Sequence, residues 1–242
     1  IDEFSLDCEK AVKDVDLVIL AVPVNLIVSY VKKIAPYLKK NCLIIDVGST
    51  KDKIVKEIKN FISSFSSSFH FIPCHPLVGS EKAKILAANS SLFQNSICII
   101  TPIEGVSKNA LNKVKKMWQI LGAKIVLCTP SFHDKILSLT SHLPHLIAFS
   151  LVNCFNSQYK KNSVMKKFIG KGFLDTTRIG ASNPYIWKAI FLSNQKEIIK
   201  SLKKFIQELK DFEKLIENKN EKALLEKITK ASICRQKLKN EK

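Results

Sequence analysis

The stretch Asp16–Pro23 reads DLVILAVP and decides the fold class of this chain. It is a short apolar run, rich in β-branched residues and closed by proline, which is typical of a strand buried on both faces of a parallel sheet. A second run of this kind, Cys42–Val47, follows a segment with helical spacing at 25–39. Strands that alternate with helices build parallel α/β sheets, so the pattern predicts such a sheet in the first half of the chain.

The alternation continues up to residue 129 and then stops. The remaining predicted elements of the first half are a helix over 51–62, a strand over 69–74, a strand over 97–101, a helix over 107–121 and a strand over 124–128. From residue 130 the patterns are helical, over 131–159, 183–193, 195–218 and 221–238. We therefore predict an α/β domain over 1–129 and an all-helical domain over 130–242.

The net charge suggests a nucleic-acid or membrane partner, but the excess of lysine over arginine disfavours one. Lys and Arg number 39 against 21 Asp and Glu, a net charge of +18, which is the electrostatic signature of proteins that bind nucleic acid or acidic membranes. All of these basic residues except Arg178 and Arg235 are lysine. Base and phosphate recognition relies on the planar guanidinium, so a solvated lysine surface is favoured over a nucleic-acid or membrane partner.

Glycine and cysteine usage sets further limits. No three of the seven glycines form G-x-G-x-x-G and no two form a P-loop, so the sequence holds no glycine-cradled phosphate site. The seven cysteines are odd in number and widely spaced, as in a protein with free thiols. Uninterrupted apolar runs fall short of the ~18 residues of a membrane span. With no signal peptide at the start, we expect a soluble, cytoplasmic protein.

Polar or ring-packing residues follow three of the predicted strands, and parallel sheets bind ligands at these carboxyl ends. Val22 and Pro23 end the first strand, where a proline suits packing against a flat ring. Ser49 and Thr50 follow the second strand, where they either cap the next helix or hydrogen-bond a ligand. His75 ends the third strand. A histidine titrates near neutral pH, so His75 is the candidate acid or base.

The helical half supplies three more candidates. His142 and His145 share one helix face near the start of an apolar helical run. Their spacing also suits a metal, but no Asp or Glu lies at a matching distance along the chain, so no metal site is predicted. Arg178 is an arginine where lysine fills nearly every other basic position, which favours a bidentate grip on a carboxylate. Arg235, in the basic tail, is the exception to that argument.

Six stretches carry a family resemblance and occur in family order over about residues 1–200. They are DVDLVILAVPV, IIDVGSTK, HPLVGSEK, LFQNSICIITP, SFHDKILSLTSHLPH and GFLDTTRIGASNPYIWKAIFLSN. Together they resemble the prephenate/arogenate dehydrogenase family. The resemblance implies a Rossmann-like nucleotide-binding domain over 1–129, followed by a helical substrate and dimerisation domain over 130–242 through which two subunits pair.

The resemblance also implies an activity: oxidation of prephenate or arogenate by NAD, or NADP, with loss of CO2 to give an aromatic ring. His75 would be the catalytic histidine that accepts the proton of the ring C4 hydroxyl, and Ser49 would hydrogen-bond the same hydroxyl. Arg178 would hold a substrate carboxylate. His142 and His145 would line the substrate pocket.

For the cofactor, the resemblance implies contacts to the nicotinamide half. The residues concerned are Val22, Pro23, Ser49 and Thr50. One departure from the family pattern is the dipeptide Ala83-Lys84, where the family usually has Ser-Gly in a loop that closes over the site. No motif in the sequence marks a residue that would contact the keto or amino group of the substrate's side chain. The choice between prephenate and arogenate as substrate therefore stays open.

The start of the chain bears on the choice among functions. The first strand, glycine-rich turn and acidic ribose-binding residue of the family precede the point that matches Ile1, so the chain is expected to lack the N-terminal part of its dinucleotide-binding domain. The favoured function is prephenate dehydrogenase with NAD+. The alternatives are arogenate dehydrogenase, a truncated inactive remnant that only dimerises, and, least favoured, a basic nucleic-acid-binding module.

Overall fold

The structure, a computed structural model, describes residues 2–64, 69–79, 88–159 and 163–240. The chain forms two compact units, residues 1–198 and 199–242. The first unit holds the whole sheet together with residues 130–198, so the division into domains at 129 and 130 stays a prediction. The Ala83-Lys84 departure lies outside the described residues.

Five short strands form one sheet in chain order. They are β1 (Leu17–Leu20), β2 (Leu43–Asp46), β3 (His70–Pro76), β4 (Ile97–Ile100) and β5 (Lys124–Leu127). β1, β2 and β3 pair in parallel, and so do β4 and β5. The carboxyl ends of β1, β2 and β3 therefore meet at one edge of the sheet.

The prediction of a wholly parallel sheet is wrong at one pair, because β4 runs antiparallel to β3. In an antiparallel pair the second strand starts beside the end of the first, and the Leu77 N–H just after β3 donates to the carbonyl of Ile97 at 2.7 Å. A buried apolar run has the same composition in either direction. The sequence pattern therefore could not reveal the reversal.

Helices cover both faces of the sheet. The first four are α1 (Cys8–Ala11), α2 (Ile27–Ile34), α3 (Asp52–Ser64) and α4 (Lys108–Ile120). α2 and α3 pack on the face that carries Ile44 and Phe71, whereas α4 packs through Trp118 on the face that carries Ile45 and Ile72. Neighbouring residues of β2 thus enter different cores, as the alternation of a strand requires.

The rest of the described chain is helical. Its α-helices are α5 (Pro130–Leu137), α6 (Leu143–Tyr159), α7 (Lys171–Thr177), α8 (Pro184–Ser193), α9 (Gln195–Glu217) and α10 (Glu221–Asn240). A π-helical turn, Ser138–His142, joins α5 to α6 where the sequence predicts one continuous helix. The sequence analysis also missed α7 and the 3-10 turns on either side of it, Ser163–Phe168 and Arg178–Ala181.

The run Pro130–Gln158 is long and apolar enough, by length and composition, to cross a membrane, with a mean hydropathy of 1.2 over an 18-residue window. Polar residues interrupt it, so a search for uninterrupted apolar runs passes over it. His133, Asp134 and His142 are buried in its first half and hydrogen-bond to residues outside the run. These contacts tie the first half of the run to other residues of the first unit, and 28% of the 18-residue window is buried.

Candidate active site

The loop after β2 is fixed by a buried ion pair. Lys51 and Asp46 are both 0% exposed, and the Lys51 ammonium donates to Asp46 Oδ2 and, at 2.7 Å, to the Gly48 carbonyl. The Gly48 N–H donates to the same Asp46 oxygen at 2.9 Å. These three hydrogen bonds offset part of the desolvation of the buried pair, while Asp46 Oδ1 has no hydrogen-bond partner among the described residues. The loop that carries Ser49 is therefore held rigidly at the end of the strand.

His75 lies near the end of β3 and heads a chain of three side chains. Its Nδ1 lies 2.8 Å from Nε2 of His133, and Nδ1 of His133 lies 2.7 Å from Asp134 Oδ1. Asp134 also accepts the backbone N–H groups of Lys51 at 2.8 Å and Asp52 at 2.9 Å, at the start of α3. The carboxylate thus caps α3 while it holds the histidine chain in place.

The local sequence explains why α5 presents His133 and Asp134 here. Thr129 caps the helix, with its hydroxyl accepting the Phe132 N–H at 3.3 Å, and Pro130 occupies the first helical position. These two residues fix the first turn of α5. The next two side chains, His133 and Asp134, then point into the first unit and are buried.

His75 is 8% exposed and sits among positive or potentially positive groups. Burial, followed by the charges of Lys51, His133 and His142, lowers the pKa of His75 well below the usual range for histidine. The imidazole is therefore neutral at physiological pH. A neutral imidazole is the form that accepts a proton.

His142 lies in the π-helical turn and is fully buried. Its Nδ1 accepts from Nδ2 of Asn194 at 3.2 Å, and the same amide group donates to the backbone carbonyl of Asp134 at 2.8 Å. Nε2 of His142 has no hydrogen-bond partner among the described residues. Burial lowers the pKa of His142 to about 4, so this ring too is neutral at pH 7.

His145, Trp187 and Arg178 lie close together on α6, α8 and the 3-10 turn after α7. The rings of His145 and Trp187 stack with centroids 3.5 Å apart and planes at 21°. Nδ1 of His145 donates to the Ser141 carbonyl at 2.9 Å. Burial and, to a smaller extent, the Arg178 charge lower the pKa of His145. The structure thus brings together two of the predicted substrate residues, His145 and Arg178.

The residues predicted to contact the cofactor lie at the carboxyl ends of β1 and β2. Val22 is half-buried against the core, and Pro23 is exposed. Ser49 is half-buried, whereas Thr50 is fully buried and its hydroxyl lies 2.8 Å from that of Ser193 on α8. Thr50 therefore ties the start of α3 to α8. Cofactor contacts by these residues stay predictions.

A cavity of about 480 Å³ opens beside Pro23. Its walls come from the start of α2, the first turns of α3, and α8. Lys53, Glu57 and Lys188 are among the residues that line it. There is thus space for a ligand next to Pro23, the residue predicted to pack against a flat ring.

The described residues show neither a metal site nor a disulfide bond. In the ranges that the structure describes, no group of three or more His, Cys, Asp or Glu residues is arranged to hold a metal ion. All seven cysteines are free thiols.

Sequence reasoning missed several residues of the site, namely Lys51, His133, Asp134, Trp187 and Asn194. His133 and Asp134 stand together in one of the six family stretches, SFHDKILSLTSHLPH, and this is a signal that could have found them. Lys51 has no such signal, because a buried lysine is indistinguishable in sequence from the many exposed ones.

Two family models match the chain, one in each half. The nucleotide-binding domain of prephenate dehydrogenase matches residues 1–127, and the dimerisation domain of prephenate dehydrogenase matches residues 129–230. The chain belongs to the prephenate dehydrogenase family. The resemblance drawn from the six sequence stretches is thereby confirmed, and so is the fold class of a Rossmann-type domain followed by a helical one.

Individual members of the family are similar over most of the chain. A cyclohexadienyl dehydrogenase of Zymomonas mobilis is 32% identical over 241 residues, which make up 99% of this chain and 81% of that protein. A prephenate dehydrogenase of Bacillus subtilis is 32% identical over 86% of this chain, which spans only 56% of that protein. The crystal structure of Aquifex aeolicus prephenate dehydrogenase with hydroxyphenyl propionate and NAD+ superposes with a TM-score of 0.89 at 30% identity, over 98% of this chain and 82% of that one.

Proposed function

We propose that this protein is a prephenate dehydrogenase, which oxidises prephenate with NAD+ to 4-hydroxyphenylpyruvate, CO2 and NADH in tyrosine biosynthesis. The family membership supports this, as do relatives of that name and a similar structure that holds NAD+ and a hydroxyphenyl compound. The observation that carries the proposal is His75, a buried and neutral imidazole at the carboxyl end of the sheet, backed by a second histidine and a carboxylate.

The reaction needs a base at the ring C4 hydroxyl. His75 takes the hydroxyl proton through Nε2, the ring nitrogen that His133 does not occupy. Loss of that proton lets C4 become a carbonyl carbon as the C4–H bond breaks. The bond between C1 and its carboxylate then breaks, CO2 leaves, and the electron pair moves through the ring to the C4 oxygen, which takes the proton back from His75 as the ring becomes aromatic. General-base help of this kind is worth ~10²–10⁴-fold in rate.

The cofactor supplies one piece of chemistry, since bound NAD+ accepts the hydride from C4. Val22, Pro23 and Ser49 are the residues that would hold its nicotinamide half. Thr50 supports that site from behind through Ser193. Specificity for NAD over NADP depends on contacts to the ribose 2′ position.

Substrate binding is assigned to the cluster on the helical side. Arg178 grips a carboxylate of the substrate with its planar fork, beside the stacked rings of His145 and Trp187. His142 supports the stacked rings from the protein interior, since it is buried and its ring lies 6.1 Å from the Trp187 ring, centroid to centroid. Positive charge here suits a substrate that carries carboxylates.

Steady-state assays of the full-length protein with prephenate and with arogenate, each with NAD+ and NADP+, test the proposal. We expect NADH formation with prephenate and recovery of 4-hydroxyphenylpyruvate. Turnover of arogenate alone would assign the alternative activity. If neither substrate is turned over and neither cofactor binds in calorimetry, the enzyme hypothesis fails and the non-catalytic remnant takes its place.

We also propose that the protein is a cytoplasmic homodimer that pairs through its helical half. The match to a dimerisation domain supports this, and several large apolar side chains of the helical half are exposed. Phe168 is 76% exposed, Leu192 is 64% exposed and Leu174 is 56% exposed. Sedimentation equilibrium should give twice the chain mass, whereas a concentration-independent monomer mass would contradict the proposal.

A further inference from the structure

We infer that His133 and Asp134 are positioning residues that fix the tautomer of His75, so that its Nε2 carries the lone pair toward the substrate. The inference deepens the proposed function and rests on it, because it presumes that His75 is the base of the reaction. Neither residue is placed to touch substrate, since His133 is 1% exposed and Asp134 is 2% exposed. Both act through His75.

The chain of hydrogen bonds begins at the Asp134 carboxylate. Asp134 receives three hydrogen bonds, from the backbone N–H groups of Lys51 and Asp52 and from the ring of His133. An ionised carboxylate can only accept hydrogen bonds, and the start of α3 is a favourable place for its negative charge. The short contact between Asp134 Oδ1 and Nδ1 of His133 therefore requires a hydrogen on that nitrogen.

The next step follows from the chemistry of imidazole. A neutral ring with its hydrogen on Nδ1 has a lone pair on Nε2. In this form Nε2 of His133 is an acceptor, and the 2.8 Å contact then has His75 donating from Nδ1. The lone pair of His75 is then on Nε2.

Neither Lys51 nor His142 would place the hydrogen of His75 on Nδ1. Lys51 faces it from the loop before α3, His142 from the π-helical turn and His133 from α5. An ammonium only donates hydrogen bonds, and Nδ1 of His142 is already engaged by Asn194. Among the described residues, His133 is the side chain whose ring nitrogen lies within hydrogen-bond distance of His75. When His75 takes the hydroxyl proton, its bond to His133 strengthens, and Asp134 lies one ring further to balance the charge.

The tautomer itself can be measured in the protein without substrate. Nitrogen NMR of histidine-labelled wild-type protein should show His75 neutral, with its hydrogen on Nδ1. A neutral His75 with its hydrogen on Nε2 would overturn the inference, whatever the activity of the enzyme. This measurement needs no variant, so it does not depend on how well a variant folds.

Kinetics of three variants supply the second test. His133→Phe removes the acceptor, and we expect kcat to fall by about 10- to 100-fold, a part of the ~10²–10⁴-fold that a positioned base provides, with KM little changed. The acid limb of the pH profile should also move, because His133 is among the groups that set the pKa of His75. His133→Gln keeps an amide oxygen that can accept, so it should recover most of the rate.

The matched control is His70→Gln, at the opposite end of β3 from His75, which should leave kcat unchanged. If His133→Phe keeps the wild-type kcat and pH profile, or if His133→Gln is as slow as His133→Phe at equal thermal stability, the positioning role is wrong. His75→Asn separates the two hypotheses. If it keeps full activity, the base assignment itself fails, whereas an inactive His75→Asn beside an active His133→Phe removes the positioning role alone.

Discussion

At the scale of single residues, Lys51 shows how much a side chain without direct chemistry contributes to this site. Its ammonium lies in the protein interior, bonded to Asp46 and to the Gly48 carbonyl, while its backbone N–H is held by Asp134. One residue therefore links the end of β2 to the start of α5. Its positive charge also helps to keep His75 neutral.

Replacing Lys51 should cost far more stability than replacing an exposed lysine. Lys51→Met leaves the buried Asp46 carboxylate without its partner, and breaking a buried pair in this way costs about 3–5 kcal/mol. The control is Lys59→Met, whose exposed pair with Glu104 contributes little to stability because solvent screens it. Urea unfolding of both variants measures the difference, and equal losses would show that the buried pair has no special role.

His142 should make the protein less stable in acid. Its pKa falls from 6.5 to about 4 on folding, so above pH 6.5 its contribution is fully present. As the pH drops from 6.5 towards 4 the unfolded chain gains a proton that the folded chain resists, and about 3 kcal/mol is lost. His142→Phe should flatten the dependence of unfolding free energy on pH over that interval. An unchanged slope between the two proteins would refute the assignment.

The two arginines of the chain provide a matched pair for substrate binding. Arg178→Gln should raise KM for prephenate by about 10- to 100-fold with a smaller effect on kcat, because hydrogen bonds to charged groups are worth about 1.5–3 kcal/mol. Arg178→Lys should also raise KM, since an ammonium cannot make the bidentate contact. Arg235→Gln, on α10, should match the wild type. An unaltered KM in Arg178→Gln would mean that another residue holds the carboxylate.

At the scale of elements, the sequence predicts best where apolar periodicity is long. All five strands and the helices α2, α3, α4, α8, α9 and α10 lie within a few residues of their predicted ranges. The π-helical turn could not be predicted, because one extra residue in a helix leaves the apolar spacing almost unchanged. That turn carries His142, so the irregularity falls within the site.

The loop between β2 and α3 gives a prediction at this scale. A Cβ at Gly48 would lie 2.8 Å from Cδ1 of Ile27 and 2.9 Å from Asp46 Oδ2, which Lys51 holds in place. Gly48→Ala should therefore destabilise the protein by about 1–3 kcal/mol. Gly172→Ala, on α7 with open space around it, should be neutral or slightly stabilising. Equal melting temperatures for the two variants would contradict the tight packing of this loop.

At the scale of the whole molecule, the sequence predicted the kind of protein better than the network inside it. His75, His145 and Arg178 could be picked out because histidine and arginine are rare in this lysine-rich chain. The His75–His133–Asp134 chain could not, because it joins β3 to α5 across more than fifty residues, and no local pattern encodes such a contact. The reversal of β4 was hidden because a buried apolar strand has the same composition in either direction.

The hydrogen bonds of Asp134 make local opening of the site measurable in solution. The carboxylate that orients the histidine chain also covers the amide hydrogens of Lys51 and Asp52. Any opening that draws α5 away from α3 must release these two amides. The same opening removes Asp134 and His133 from their positions behind His75, the proposed base. The deuterium uptake of the two amides is therefore a local gauge of the fraction of molecules ready to react, readable in solution before any substrate is added.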